Sequence, residues 1–231
     1  MSRGYFLLIV LSILGVYVLV LNISVLKENK FTVLRSVCTA LFIFSISRYL
    51  TLIAYGDHLA LTTLMKLRYF YFATSIGLTV PTASAVWYIT PLYRQQIKYP
   101  YYLLCFLPWI LFYTYLITRQ PTKIVQGATY GYTLQLTGSF PLYLSIAQGS
   151  FVTVIIILSI IGLVRYKNIQ LRAEYIVIIL AQLTLVLDGL GYYIGGVRLF
   201  PPFTASEILG FAAVYYCFKE PILEIKGIAS N

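Results

Sequence analysis

The chain's 231 residues are 60% hydrophobic and only 10% charged, with a mean hydropathy of +0.84. An ordinary soluble domain carries about 25% charged residues, so a soluble globular protein is excluded. A formal net charge of +10 would suggest nucleic acid for a soluble chain, but here the basic residues sit at the ends of apolar runs. That is the positive-inside pattern of a membrane protein, whose partner is a lipid bilayer and not nucleic acid.

Seven continuously apolar runs follow one another, at about 5–26, 34–56, 69–93, 99–118, 142–164, 173–196 and 203–219. Each approaches the roughly 20 residues needed to span a hydrocarbon core. Backbone in lipid must satisfy its own polar groups, so each run predicts a helix. Unbroken apolarity, as opposed to alternation, argues against a β-barrel. The expectation is an all-α integral membrane protein: one seven-transmembrane-helix bundle over residues 1–231, multi-pass in the cell membrane.

The first run, uncharged from Gly4 to Leu26, is too long for a signal-peptide core and lacks a clear small-residue cleavage site, so it reads as a retained helix. The second carries Arg48 within "SISRYLTLIAY". The third contains Pro81 and Pro91 and the fourth Pro108, which predict kinks within those spans. The long connection at 119–141 holds "TKIVQGATYGYTLQLTG". It alternates from Tyr130 to Leu136 after turn candidates at Gln126 and Gly127, so segments near 123–126 and 131–136 are expected to pair as a short β-hairpin between helices 4 and 5. Cys38, Cys105 and Cys217 fall inside apolar runs without metal-ligand spacing and read as packing residues.

Orientation follows from lysine and arginine. Odd-numbered loops and the C-terminus carry ten, the N-terminus and even-numbered loops carry six, and Arg48 is the seventeenth. The bias places the N-terminus outside and the C-terminus in the cytoplasm, with the hairpin in the outer loop. The sequon Asn22-Ile23-Ser24 then faces the cytoplasm and reads as chance.

Three ionisable residues lie well inside the spans: Arg48, Asp188 and Glu207. Such groups are costly in lipid and turn toward the protein interior. Counting residues from the span ends puts all three in the outer half, so Arg48 is expected to pair with Asp188 or Glu207. Helical spacing adds polar neighbours: Ser45, Thr51 and Tyr55 beside Arg48; Tyr71, Thr74 and Ser75 with Leu78; Ser145, Gln148 and Gly149; and Thr184 and Tyr192 around Asp188. Three readings of this cluster stay open: a salt bridge that fixes helix register, a cavity for a small-molecule or peptide ligand, or a proton or ion path. Tyrosine pairs such as Tyr101-Tyr102, Tyr192-Tyr193 and Tyr215-Tyr216 read as interfacial belts.

Catalytic chemistry is not evident. His58, the single histidine, sits beside Asp57 near a span end and reads as a solvated loop residue. There is no metal-ligand cluster, phosphate-cradling glycine loop or paired nucleophile and base, so the expectation is no enzyme, no metal and no cofactor. A retinal protein would need a lysine near the middle of the last helix, and the only one there is Lys219 at its end.

Three stretches carry a family likeness: "GLTVPTASAVWYITPLY", "YGYTLQLTGSFPLYLSIAQG" and "SEILGFAAVYYCFKEPILEI". In helix length, glycine placement and aromatic ends the chain resembles the seven-helix N-terminal sensor region of bacterial and archaeal membrane histidine kinases. The resemblance implies a seven-helix sensor whose output lies in cytoplasmic domains. The sequence continues only twelve residues beyond Lys219, so kinase activity does not carry over; a stand-alone sensor acting through a protein partner, or a fragment, is expected. The leading functional expectation is a receptor or sensor-like subunit that binds a small ligand or peptide in the outer half of the bundle. The alternatives are a small transporter or channel, and a structural or assembly subunit of a membrane complex.

Overall fold

Backbone surrounded by apolar side chains must close its hydrogen bonds internally, and most of this chain does so as helix. The computed structural model describes residues 3–56, 61–126, 131–194 and 201–219, with the side chains of 61 and 191–194 outside that set. Its first half contains α1 (Arg3–Leu26), α2 (Thr32–Gly56), the short α3 (Leu61–Leu67), a 3₁₀ turn at Arg68–Phe70, α4 (Ala73–Ile89), α5 (Pro91–Gln96), α6 (Tyr99–Leu104) and α7 (Leu107–Arg119). Strands β1 (Thr122–Gln126) and β2 (Tyr132–Leu136) follow, then α8 (Phe140–Arg165), α9 (Ile169–Ile194) and α10 (Thr204–Lys219). Asp57, His58, the expected hairpin turn at Gly127, and the tail beyond Lys219 lie outside the described residues.

Helices α1, α2, α8 and α9 are long and apolar enough to cross a membrane. The other three expected spans differ from the sequence reading. The 69–93 run starts as helix only at Ala73, and α4 ends at Ile89. The 99–118 run is broken into α6 and α7, and α10 has 16 residues.

Proline explains two of these boundaries. Pro91 and Pro108 do not kink continuous spans; each sits in the first turn of a new helix. A proline ring clashes with the carbonyl four residues back, and α6 ends at Leu104, four residues before Pro108. Thr90 is extended (ψ 107°), as the residue before a proline prefers. Pro81 alone lies within a helix, α4.

α4 is the hub. It packs against α2 and α10 and also touches α6, α7, α8 and α9. Nearly all of its residues are buried, and its middle is rich in Ala, Ser, Thr and Gly, which let helix backbones approach closely. A Cβ at Gly77 would overlap Ser45 Oγ on α2 and lie 3.2 Å from the Leu41 carbonyl oxygen. On α10, a Cβ at Gly210 would lie 2.9 Å from Leu78 Cδ2. These contacts lock α2, α4 and α10 together. α1 adds a buried stripe at three- and four-residue spacing (Leu8, Ser12, Gly15, Leu19, Asn22, Leu26) against α2 and α10. Asn22 Nδ2 donates to the Phe211 carbonyl across that seam at 3.0 Å.

The hairpin forms as the alternation predicts, within one residue of the expected bounds. β1 and β2 pair antiparallel, from Thr122 opposite Leu136 to Gln126 opposite Tyr132. It caps one end of the bundle. A Cβ at Gly131 would come within 2.5 Å of the Tyr55 carbonyl oxygen at the end of α2, so only glycine permits that approach. Cys38 and Cys217 are buried as packing residues, whereas Cys105, at the α6–α7 break, is exposed.

Candidate functional site

The close contacts at Gly77 and Gly210 dictate what meets one turn away. α2 runs toward the hairpin end, while α4 and α10 run away from it. Arg48 is three residues after Ser45, Thr74 three before Gly77 and Glu207 three before Gly210. All three therefore converge on the hairpin side of the locked contact.

Of the two acids available to Arg48, Glu207 takes the pair. Arg48 Nε donates to Glu207 Oε2 at 2.9 Å, and the side chains are 4% and 10% exposed. Arg48 Nη1 donates to the Tyr71 carbonyl, and the guanidinium lies over the Tyr71 ring at 5.4 Å. That carbonyl is free because the chain leaves helical geometry between the 3₁₀ turn and α4, so the late start of α4 creates an acceptor for the arginine. Glu207 Oε1 accepts from Thr74 Oγ1 at 2.8 Å, which satisfies both carboxylate oxygens. Glu207 also lies in the first turn of α10, where the helix dipole favours a negative charge. Asp188 sits beside the pair on α9, half-buried, with Oδ2 accepting from Ser206 Oγ at 2.8 Å.

Next to the ion pair is a partly open cavity of about 130 Å³, lined by residues of α2, α4, α7, β2, α8, α9 and the start of α10. Of the residues expected around a common polar cluster, Arg48, Tyr71, Thr74, Ser75, Leu78, Ser145, Gln148 and Glu207 line it. Asp188 is not among the lining residues, and the Tyr192 side chain lies outside the described set. Tyr71 OH and Thr133 Oγ1 share a hydrogen bond of 2.8 Å, which ties the hairpin to the cavity wall. The remaining wall is largely apolar, including Leu134, Phe151, Val152, Leu185 and Phe203.

The sequence reading chose the wrong face of α9. It stacked Thr184, Asp188 and Tyr192, but Gln182, Leu185 and Gly189 line the cavity, and Thr184 turns its hydroxyl back to the Ala181 carbonyl at 2.7 Å. Gln182 was therefore missed. It is 1% exposed, and its Oε1 has no hydrogen-bond partner among the described residues. A lone amide within "IILAQLTLVLDG" is the signal that marks it. Gly149, expected beside Gln148, faces open space. The hydroxyls of Ser45, Thr51 and Tyr55 are spent on the carbonyls of Leu41, Ser47 and Leu64 and leave Arg48 as the one α2 residue on the cavity wall.

Phe203 forms the lip of the cavity with φ at 67°, a left-handed conformation that is unfavourable for a bulky residue. Its carbonyl accepts from the Glu207 amide at 2.8 Å, so this turn sets where Glu207 points.

Away from the hairpin, aromatic side chains pack between the helices. Phe42 packs edge-on against Phe211 at 6.0 Å, Tyr88 against Phe218 at 5.4 Å and Trp87 against Tyr99 at 5.2 Å, with Cys38 and Cys217 between the helices. Some polar groups there pair, Thr90 with Tyr175 at 2.9 Å and Ser84 with Tyr99 at 2.8 Å, while Thr82 Oγ1 and Tyr102 OH have no partner among the described residues. Among the described residues no group of three metal-ligating side chains is assembled. In sequence comparison, no protein-family model and no curated protein matches the chain.

Proposed function

We propose that the chain is a seven-span protein of the cell membrane, with its N-terminus and hairpin outside and its C-terminus in the cytoplasm. In this reading it is a receptor or sensor-like subunit that binds a small ligand in the outer half of the bundle and signals through a separate protein partner. α4 with α5, α6 with α7, and α10 supply the three spans beyond the four long helices. Outward-facing apolar side chains such as Phe6, Ile13, Leu50, Ile160 and Leu187 suit contact with lipid.

The observation that carries the reading is a cavity in the hairpin half, with a buried ion pair on its wall and aromatic packing beyond it. A transporter needs a route that opens to each face in turn. A sensor needs a pocket on one side and a bundle whose two states bind the ligand unequally. Helices α2, α4 and α10 meet at the pocket and continue to the opposite end, so a shift in the ion pair has a rigid path to the cytoplasmic face.

The test is sided accessibility. With the native cysteines replaced, Gln148→Cys in sealed vesicles is treated with a membrane-impermeant thiol reagent from either face, and Asn231→Cys serves as the topology marker. The reading expects Gln148→Cys to react only from the outside and Asn231→Cys only from the cytoplasmic side. Reaction of Gln148→Cys from both faces would establish a transport route instead.

A further inference from the structure

The cavity wall specifies more than the presence of a ligand. We infer that it takes a small uncharged molecule bearing an amide-like head, with both donor and acceptor, on an apolar body about the size of benzene. The inference rests on the ligand-binding reading above.

Four features argue for this class. Arg48 and Glu207 already neutralise each other at 2.9 Å, and Asp188, the other carboxylate nearby, is off the cavity wall and held by Ser206, so a net charge entering the cavity would be buried without a counter-ion on the wall, at considerable cost. Gln182 is 1% exposed, lines the cavity and leaves Oε1 without a partner among the described residues. A buried amide oxygen of this kind is expensive until a donor reaches it, and an amide head supplies that donor. Among the described residues Arg48 uses Nε on Glu207 and Nη1 on the Tyr71 carbonyl, which leaves the Nη2 side of its fork for a ligand acceptor. The rest of the wall, from Leu78 and Phe151 to Leu185 and Phe203, favours an apolar body. The volume of about 130 Å³ is somewhat below the ~150 Å³ of an apolar cavity known to admit benzene, so the polar head is held at the wall and the apolar body extends into the open mouth.

Water is the competing occupant, and the experiment separates the two. The full chain in lipid nanodiscs is tested by equilibrium binding with benzamide, N,N-dimethylbenzamide, benzoate, benzylamine and toluene. Specific binding is the excess over Ser75→Phe, a variant that fills the cavity. The inference expects benzamide to bind at least about tenfold more tightly than benzoate, benzylamine or N,N-dimethylbenzamide, because each of these lacks the charge neutrality or the donor the wall requires. Gln182→Met should reduce benzamide to the level of toluene while toluene binding persists. The dimethyl comparison is made on the unmodified chain, so it holds even if the Gln182 variant fails to fold. Tighter binding of benzoate or benzylamine would overturn the ligand class and leave the receptor reading standing. No probe binding above Ser75→Phe would also overturn it and leave water as the occupant. The receptor reading fails separately, by labelling of Gln148→Cys from both faces.

Discussion

Removing one partner of the Arg48–Glu207 pair should be far more damaging than removing both. Arg48→Met leaves the Glu207 carboxylate almost enclosed, with the Thr74 hydroxyl as its remaining donor. Glu207→Leu leaves the guanidinium without its carboxylate, held by the Tyr71 carbonyl and ring. Stranding a buried charge in this way costs about 3–5 kcal/mol. The two single variants should not be equal: a stranded carboxylate can take up a proton, whereas a guanidinium cannot lose one, so Glu207→Leu should be the worse. The double variant strands no charge. It orphans the Tyr71 carbonyl, at about 1–3 kcal/mol, while the Thr74 hydroxyl can turn back onto its own helix as helical hydroxyls do. The double variant should therefore fall short of the summed single effects by at least about 3 kcal/mol. Reversible unfolding of the purified chain in detergent, read for the two single variants and the double, measures this. Effects that add to within about 0.5 kcal/mol would refute the buried pair.

Three further outcomes follow from the packing. Gly77→Ala should destabilise the bundle by about 1–3 kcal/mol in the same unfolding assay, because its Cβ has no room between Ser45 Oγ and the Leu41 carbonyl; a neutral result would mean that α2 and α4 are not in close contact. Tyr71→Phe removes the hydrogen bond to Thr133 and should weaken hairpin docking by about 1 kcal/mol, read as roughly fivefold faster hydrogen exchange at residues 132–136 with the helices unchanged. Pro108→Ala should let α6 and α7 join, since the new amide at position 108 can reach the Leu104 carbonyl; slow exchange of that amide supports the proline origin of the break, and fast exchange contradicts it.

Features governed by local pattern were legible in the sequence. The alternation of β2 and the length of the apolar runs needed only the strand and helix repeats. That Arg48 would meet one of the two acids, Asp188 or Glu207, followed from counting residues along the apolar runs, because depth within a helix is arithmetic. The choice between Glu207 and Asp188 was not legible: it depends on the rotation of α9 about its axis, which packing against α8 and α10 sets. The same rotation brings Gln182 to the cavity and turns Thr184 away from it. Nor did the sequence announce the late start of α4. Tyr71 and Phe72 are apolar enough to read as helix, and no glycine or proline marks the point where the chain departs from it. Pro108 was visible, but a kink and a full break differ only in whether neighbouring helices re-satisfy the freed carbonyl.

The most direct measurement is an experimental structure of the full chain purified in nanodiscs drawn from native membrane, with co-purifying molecules retained. The account predicts non-protein density in the hairpin-end cavity, with one polar end at Gln182 and Arg48 and the Arg48–Glu207 pair intact. A cavity collapsed onto itself, with Phe203 folded against Gln182 and no space for a ligand, would contradict it.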